Sequence, residues 1–266
     1  MKFSNQIVDL SDTEFVYELE IFHCEIKYFP KKCKGLYIED CKIDILPTLP
    51  VDLETLMLYD CEFSKLEYLP DSLKELEIKF RGDIESLPTL PPNLIKLECT
   101  HTKIKSLPDL PPSLLELKCN NNNLTHLPTL PSNLNLLYCD NNKIDELPQL
   151  PQTLTNLRCN NNLLTVLPEL LQGLKELHCN DNPLIALPYL PRSLDYRLCD
   201  FENMFDKHDL LRYIEIHNEI DELKVTSYIN KIELERDDAI RKNKEYERLR
   251  ELDLGSLLYH AGKKYI

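Results

Sequence analysis

Apolar positions along most of this chain repeat with a fixed spacing. From residue 94 the pattern restarts every 20 residues, and five successive copies share the consensus LxxLxCxxNxLxxLPxLPxx with departures such as Thr102 and Leu171. The opening LxxLxC alternates apolar and polar positions, which is typical of a strand with one buried face. A repeat of this length predicts a solenoid in which each copy is one coil and successive strands stack in parallel, about 4.8 Å apart.

The same pattern extends towards the N-terminus with Ile or Leu in place of the cysteine. Earlier copies open at Leu73, Leu53, Cys33 and Val16, the last shortened to 17 residues, and a degenerate tenth copy begins at Leu194. We therefore expect an N-terminal cap at 1–15, a solenoid of nine repeats and a fragment at 16–200, and a separate segment at 201–266.

Proline separates the solenoid from the C-terminal segment. All 18 prolines lie between Pro30 and Pro191. Paired prolines fix φ and remove backbone donors, so the convex return of each coil is predicted to be extended or polyproline-like. Beyond Pro191, apolar residues recur at three- and four-residue steps from Tyr213 to Leu223, which indicates helix. Because a solenoid exposes an apolar end, we predict that 201–266 forms a helical C-terminal cap or tail.

Composition narrows the classes of partner. The formal net charge is −14, which argues against nucleic acid or an anionic membrane surface, because phosphate binding needs clustered Lys and Arg. The first fifteen residues lack the apolar run of a signal peptide, and nowhere does the chain have the run of about 18 apolar residues that a membrane span needs. Ten cysteines without an export signal favour a reduced cytoplasmic protein, although non-classical export stays open.

The repeat resembles the leucine-rich-repeat family, and within it the short LPxLP subclass of bacterial effectors and giant-virus proteins. The resemblance runs from Val16 to Asp200. It implies a ligand-binding surface on the strand face. The chain departs from the family pattern in placing Cys at a position that is often Leu. It also has Cys24, Cys41 and Cys61 where the family usually has Asn.

Two polar ladders invite chemical interpretations. Cysteines recur at one repeat position: Cys99, Cys119, Cys139, Cys159, Cys179 and Cys199. A metal array or redox relay is one interpretation, but stacked rungs give a line of sulfurs rather than the tetrahedron that zinc prefers, so we favour core packing. Asparagines recur at another position: Asn122, Asn142, Asn162 and Asn182. Ligand or calcium binding is the alternative, and we favour satisfaction of backbone groups where each coil leaves its strand.

Signatures of catalysis are absent from the sequence. There is no Gly-rich phosphate loop, GxSxG or HExxH motif, so we expect neither an enzyme nor a cofactor or metal. Some bacterial relatives carry a ubiquitin-ligase domain with a CxD motif. The residues from Cys199 read CDFENM and lack that spacing, which makes ligase activity the weakest alternative.

The residues between the inward leucines are predicted to form the strand face. Aromatic, thioether and charged residues there make a candidate binding set: Tyr37, Met57, Tyr59, Glu75, Glu77, Glu98, Lys118, Tyr138, Arg158 and His178. The three glutamates of adjacent coils predict a protein partner with a basic patch, unless Lys79 and Lys96 neutralise them. The favoured function is a protein–protein interaction module, and a structural role, for example in a virion, is the alternative.

Overall fold

The structure is a computed structural model. It describes residues 1–195 apart from 42, 44, 45, 62–65, 80–83, 186, 187, 189 and 192. The predicted helical segment 201–266 and the last rung of the cysteine ladder, Cys199, lie outside the described residues.

Twelve strands are present in the described part of the chain. They are β1 (Lys2–Ser4), β2 (Ile7–Asp9), β3 (Phe15–Phe22), β4 (Glu25–Tyr28), β5 (Lys32–Glu39), β6 (Thr55–Tyr59), β7 (Glu75–Lys79), β8 (Lys96–Thr100), β9 (Glu116–Lys118), β10 (Leu136–Tyr138), β11 (Asn156–Arg158) and β12 (Glu176–His178). Ten form one sheet in the order β1-β3-β5-β6-β7-β8-β9-β10-β11-β12, with every pairing parallel. The predicted parallel-strand solenoid is confirmed.

Residues 1–15, expected to form a cap, add another strand to this sheet. Strand β1 pairs in parallel with β3, with Lys2 opposite Glu20. On the return side of the same coil, β2 pairs with β4 in a separate two-stranded sheet. The first coils therefore return through strands, where the later coils return through proline.

The returns of the later coils end in a recurring turn. The Leu114 amide donates to the Pro111 carbonyl at 3.1 Å, and Leu134 and Leu154 make the same contact with the prolines three residues before them. Each turn directs the chain back into the next strand. The leucine that ends it is buried in every one of these coils.

The core is a column of leucines flanked by the cysteine ladder. Cys99, Cys119, Cys139, Cys159 and Cys179 are each 0% exposed, and each is a free thiol. The same position holds Ile38, Leu58 and Ile78 in earlier coils, all equally buried. Burial raises the pKa of the Cys99 thiol to about 12. These cysteines thus sit in the core as small apolar side chains.

The asparagine ladder bonds the backbones of neighbouring coils. The Asn142 amide nitrogen donates to the carbonyls of Cys119 at 2.9 Å and Cys139 at 3.0 Å, and its oxygen accepts from the Leu124 amide at 3.1 Å. Asn162 and Asn182 repeat this pattern one and two coils further on. These side chains, buried at Asn142 and Asn162 and half-buried at Asn182, supply hydrogen bonds to backbone groups that have left the sheet.

In the early coils cysteine stands at the asparagine position, and its thiol makes some of the same hydrogen bonds to backbone groups. The Cys41 thiol lies 3.3 Å from the Glu39 carbonyl and accepts from the Cys24 amide at 3.2 Å. Cys61 approaches the carbonyls of Ile38 and Tyr59 at 3.5 and 3.3 Å. A thiol offers one weak donor and one weak acceptor, so it can make some, but not all, of the hydrogen bonds that the asparagine side chain makes.

The residue just before the asparagine position adopts a left-handed backbone in nearly every coil. Its φ lies between 47° and 59° at Asn5, His23, Asp40, Asp60, His101, Asn121, Asn141, Asn161 and Asp181. Asn, Asp and His are the non-glycine residues most often found in this conformation. The choice of residue at this position is therefore set by the turn out of the strand.

Candidate functional site

Strand pairing aligns the outward residues into three rows. The central row runs Glu20, Tyr37, Met57, Glu77, Glu98, Lys118, Tyr138, Arg158, His178. The preceding row runs Glu18, Gly35, Thr55, Glu75, Lys96, Glu116, Leu136, Asn156, Glu176, and the following row includes Phe22, Glu39, Tyr59, Lys79 and Thr100. All ten candidate binding residues lie in these rows.

An aromatic ladder occupies the N-terminal part of this face. The Phe22 and Tyr37 ring centroids are 5.4 Å apart, and those of Tyr37 and Tyr59 are 5.2 Å apart with nearly perpendicular planes. The Lys2 ammonium lies 4.3 Å from the Phe22 centroid, and the Lys79 ammonium lies 5.2 Å from that of Tyr59. Edge-to-face contacts and cation–π contacts of this kind fix the orientation of the rings.

Two of the predicted acidic binding residues are buried and paired. Glu77 is 5% exposed and Glu98 is 8% exposed. Glu77 accepts from Lys96, from the Tyr59 hydroxyl and, at 3.1 Å, from Lys79. Of the two alternatives that the sequence left open for Glu77 and Glu98, the structure shows neutralisation by lysines of the same and neighbouring strands.

Glu98 takes part in the same network. Its carboxylate lies 2.9 Å from the Lys79 ammonium and 3.6 Å from that of Lys118. Lys79 thus joins Glu77 on its own strand to Glu98 on the next. Together with Tyr59, this network connects four adjacent strands, β6 to β9, at the centre of the face.

The network shifts the ionisation of its members. Burial by itself raises the pKa of the Glu77 carboxyl, but the hydrogen bonds from Lys96, Tyr59 and Lys79 outweigh it and hold that pKa at about 2. Burial opposes the charge of Lys79 in turn, yet its bonds to Glu98 and Glu77 raise its pKa above the usual value. Both groups stay charged across the physiological range.

The C-terminal members of the candidate set, Arg158 and His178, pair with a buried glutamate, Glu176. Glu176 is 6% exposed and accepts from Arg158 Nε at 2.6 Å and from Asn156 at 2.5 Å. Its carboxylate lies 3.1 Å from His178 Nε2, and the Arg158 guanidinium lies 4.6 Å from the Tyr138 ring centroid. The arginine is therefore held between an aromatic ring and a buried carboxylate.

A pocket of about 470 Å³ opens on the N-terminal part of the strand face. Its floor is at Gly35, where the equivalent position on the flanking strands carries Glu18 and Thr55. Tyr37, Met57, Phe22 and Glu20 line one side, and Tyr17, Lys34 and Glu54 line the other. The missing side chain at Gly35 thus leaves a notch in a row that is otherwise filled.

The sequence alone did not lead to a prediction of this pocket. Gly35 is the single glycine among the nine positions of its row. That departure was the available signal, since glycine in a strand often marks close approach of a ligand or of another backbone. Glu18, Tyr17 and Phe22 line the pocket but are not in the candidate set.

The described residues include no group of three or more His, Cys, Asp or Glu side chains that could hold a metal ion. In the same part of the chain, no helix has the length and apolar character needed to cross a membrane.

Comparison with known proteins finds similar architectures among solved structures. No family model matches the chain, and no curated protein matches it. Thirty-two chains of solved structures do match. They include YopM from Yersinia enterocolitica WA-314, with a TM-score of 0.51 and 29% identity over 68% of this chain and 50% of that one.

YopM from Yersinia pestis, described as a leucine-rich effector protein, gives a TM-score of 0.51 and 27% identity, covering 64% of this chain and 61% of that one. A chain from an octameric complex of Latrophilin 3, Unc5D and FLRT2 gives a TM-score of 0.50 and 22% identity, covering 67% of this chain and 74% of that one. At this identity the likeness concerns the fold alone. This chain spans half the length of one YopM chain and 61% of the other.

The parallel sheet, the 20-residue coils and these structural neighbours define a leucine-rich-repeat solenoid. The chain therefore has the leucine-rich-repeat fold of these neighbours.

Proposed function

We propose that this chain is a non-catalytic scaffold that binds a protein partner on the N-terminal half of its strand face. The observation that carries the proposal is the open pocket over Gly35, flanked by the half-buried Tyr37 and Met57. Elsewhere on the face, most charged residues of the candidate set pair with neighbouring charged side chains. An open concavity beside preorganised aromatic rings is the kind of surface in which binding energy concentrates.

The structural neighbours support a scaffold in general terms. One neighbour belongs to an octameric complex with Latrophilin 3 and Unc5D, and another is described as an effector protein. Neither description carries a partner over to this chain. These descriptions support a role in protein interaction, and the pocket supports the N-terminal half of the strand face as the binding surface.

A basic patch on the partner remains part of the proposal, with a different acidic counterpart. Glu77 and Glu98 are occupied by lysines, whereas Glu18 is an exposed glutamate at the pocket. Reversing Glu77 or Glu98 to Lys would break buried ion pairs and disturb the fold, so such variants do not test docking. Charge reversal at Glu18 does.

The nine described cysteines bear on the subcellular compartment in which the protein acts. All of them are buried free thiols. A reducing compartment such as the cytoplasm is where such thiols are stable, and we include it in the proposal. Subcellular fractionation of the native host, with an antibody against the chain, tests this part independently.

Photo-crosslinking from two positions tests the proposed face. Benzoylphenylalanine replaces Thr55, which lines the pocket, or Tyr68, which lies on a proline-containing return and is 58% exposed. In lysate of the native host, we expect one protein adduct from position 55 that excess unlabelled wild-type chain suppresses, and no such adduct from position 68. Equal adducts from both positions, or none from position 55, would contradict the proposed face.

A further inference from the structure

We infer that the pocket over Gly35 binds one cationic side chain, lysine or arginine, of a protein partner. The inference rests on the proposed function and specifies its chemistry. It depends on three features of the pocket: its shape, its walls and its charge.

The shape suits a single inserted side chain. Neighbouring strands place Glu18 and Thr55 on either side of Gly35, so the notch is one residue wide along the row. A Cβ at position 35 would lie 3.2 Å from the Glu18 Cγ and would begin to fill it. Its volume of about 470 Å³ falls in the range of small ligand sites, which is ample for a long side chain.

The walls suit the aliphatic part of such a side chain. Met57 and the Tyr37 ring provide apolar surface beside the notch. The Tyr37 hydroxyl donates to the Glu39 carboxylate at 2.6 Å, and its ring contacts both Phe22 and Tyr59. The ring is thus held in place before any ligand arrives, and an aromatic face next to a cation is favourable.

The charge of the lining selects a cation. Glu18, Glu20 and Glu54 line the pocket together with one ammonium group, that of Lys34. Glu54 is bound by Lys34 at 2.8 Å and by Lys74 at 2.6 Å, and Glu20 lies 3.2 Å from Lys2.

Glu18 is the exception among these carboxylates. The Met1 amino group donates to its backbone carbonyl at 2.6 Å, but its carboxylate has no ion pair within the described residues. The Glu18 carboxylate would repel a carboxylate or phosphate ligand, whereas it would form a charge-assisted hydrogen bond with an ammonium or guanidinium group.

Peptide selection on the full-length chain tests the chemistry directly. A randomised linear peptide library is selected on the immobilised wild-type chain after depletion on the Gly35→Thr variant. We expect the selected peptides to share a lysine or arginine. Replacing that residue with norleucine, which keeps the aliphatic stem and removes the charge, should weaken the dissociation constant about tenfold.

Two pairs of variants separate pocket filling from general effects. Gly35→Thr introduces the residue that the next strand carries at this position, and we expect it to abolish peptide binding with an unchanged melting temperature. Gly173→Ser is its control, because Gly173 is an exposed glycine elsewhere in the solenoid. A Cβ added there would make an ordinary van der Waals contact, 3.6 Å from the Gln152 carbonyl oxygen. Glu18→Gln should weaken binding several-fold and reduce its salt dependence, while Glu116→Gln, in the same row on β9, should not.

The outcomes distinguish this inference from the proposed function. Selected peptides without a cation, equal binding of the norleucine peptide, or full binding by Gly35→Thr would each overturn the cationic pocket. Failure to select any peptide over the Gly35→Thr background would overturn it as well. If the host protein still crosslinked from position 55, the scaffold function would stand without it.

Discussion

Removing two neighbouring asparagines of the ladder should cost more than the sum of the two single changes. Each Asn side chain donates to a carbonyl of its own coil and to one of the coil before. The Cys139 carbonyl therefore accepts from both Asn142 and Asn162, each at 3.0 Å. The Leu124 amide, in contrast, donates to the Asn142 oxygen at 3.1 Å and to no other acceptor within the described residues.

The magnitudes depend on which groups lose their last partner. Asn142→Ala orphans the Leu124 amide and leaves a small cavity, while the Cys139 carbonyl keeps Asn162, so we expect a loss of roughly 2–4 kcal/mol. Asn162→Ala alone has an equivalent effect on the Ile144 amide. In the double variant the Cys139 carbonyl is orphaned too, which adds about 1–3 kcal/mol beyond the sum.

Equilibrium unfolding in urea measures these free energies, with hydrogen exchange at the Leu124 amide as a local readout. The pair Asn122→Ala and Asn182→Ala is the matched control, because these residues donate to no common carbonyl. Its effects should add within about 0.5 kcal/mol. Asn133→Ala, at an exposed position, controls for asparagine removal as such.

Additive behaviour of the Asn142 and Asn162 changes would refute the shared-carbonyl reasoning. Unchanged exchange of the Leu124 amide in Asn142→Ala would refute the claim that the side-chain oxygen protects it. A coupling as large in the control pair would instead indicate a long-range effect of destabilised coils.

Three further predictions concern other parts of the solenoid. Because the folded pKa of Glu77 is about 2, below the 4.5 of the free group, its contribution is present above about pH 4.5 and lost as pH falls towards 2. Glu77→Gln should therefore destabilise the chain by about 2 kcal/mol at pH 7 and by less near pH 3 in urea titrations, and a constant difference would contradict this. Thiol reagents should leave Cys119 and Cys139 unmodified in the native chain and label them in denaturant, as read by mass spectrometry; rapid native labelling or stoichiometric zinc would overturn their core role. Asn141→Val should lower stability by about 1–2 kcal/mol and Asn141→Gly by much less, since φ there is 56°; equal losses would exclude a backbone cause.

The positions of the strand-face residues could be predicted because the repeat fixes register. Each coil places the same template position on the same row, so Tyr37, Met57 and Tyr138 could be aligned by counting residues along the repeat. The partner-binding role of those rows stays a prediction. The template could not predict towards which neighbouring residue a long, flexible side chain in a row extends.

The acidic residues illustrate that limit. In the sequence, Glu77 and Glu98 carry the same charge as Glu18 and lie on the same strand face, in the neighbouring row. In the fold, Lys79 and Lys96 reach the first two from adjacent positions, while Glu18 stays exposed. A lysine can pair along its strand or across to the next, and only the three-dimensional arrangement selects among these.

The sequence by itself determined the coil, its buried leucines and cysteines, and the alignment of outward residues, because a 20-residue period with one apolar face leaves few other ways to bury that face. The tertiary structure decided three other features: the strand that residues 2–4 add, the lysine-bridged centre of the face and the pocket over Gly35. Each of these depends on contacts between different coils. A pattern of residues along one coil contains no information about how far a neighbouring side chain reaches, or about the space left where one is missing.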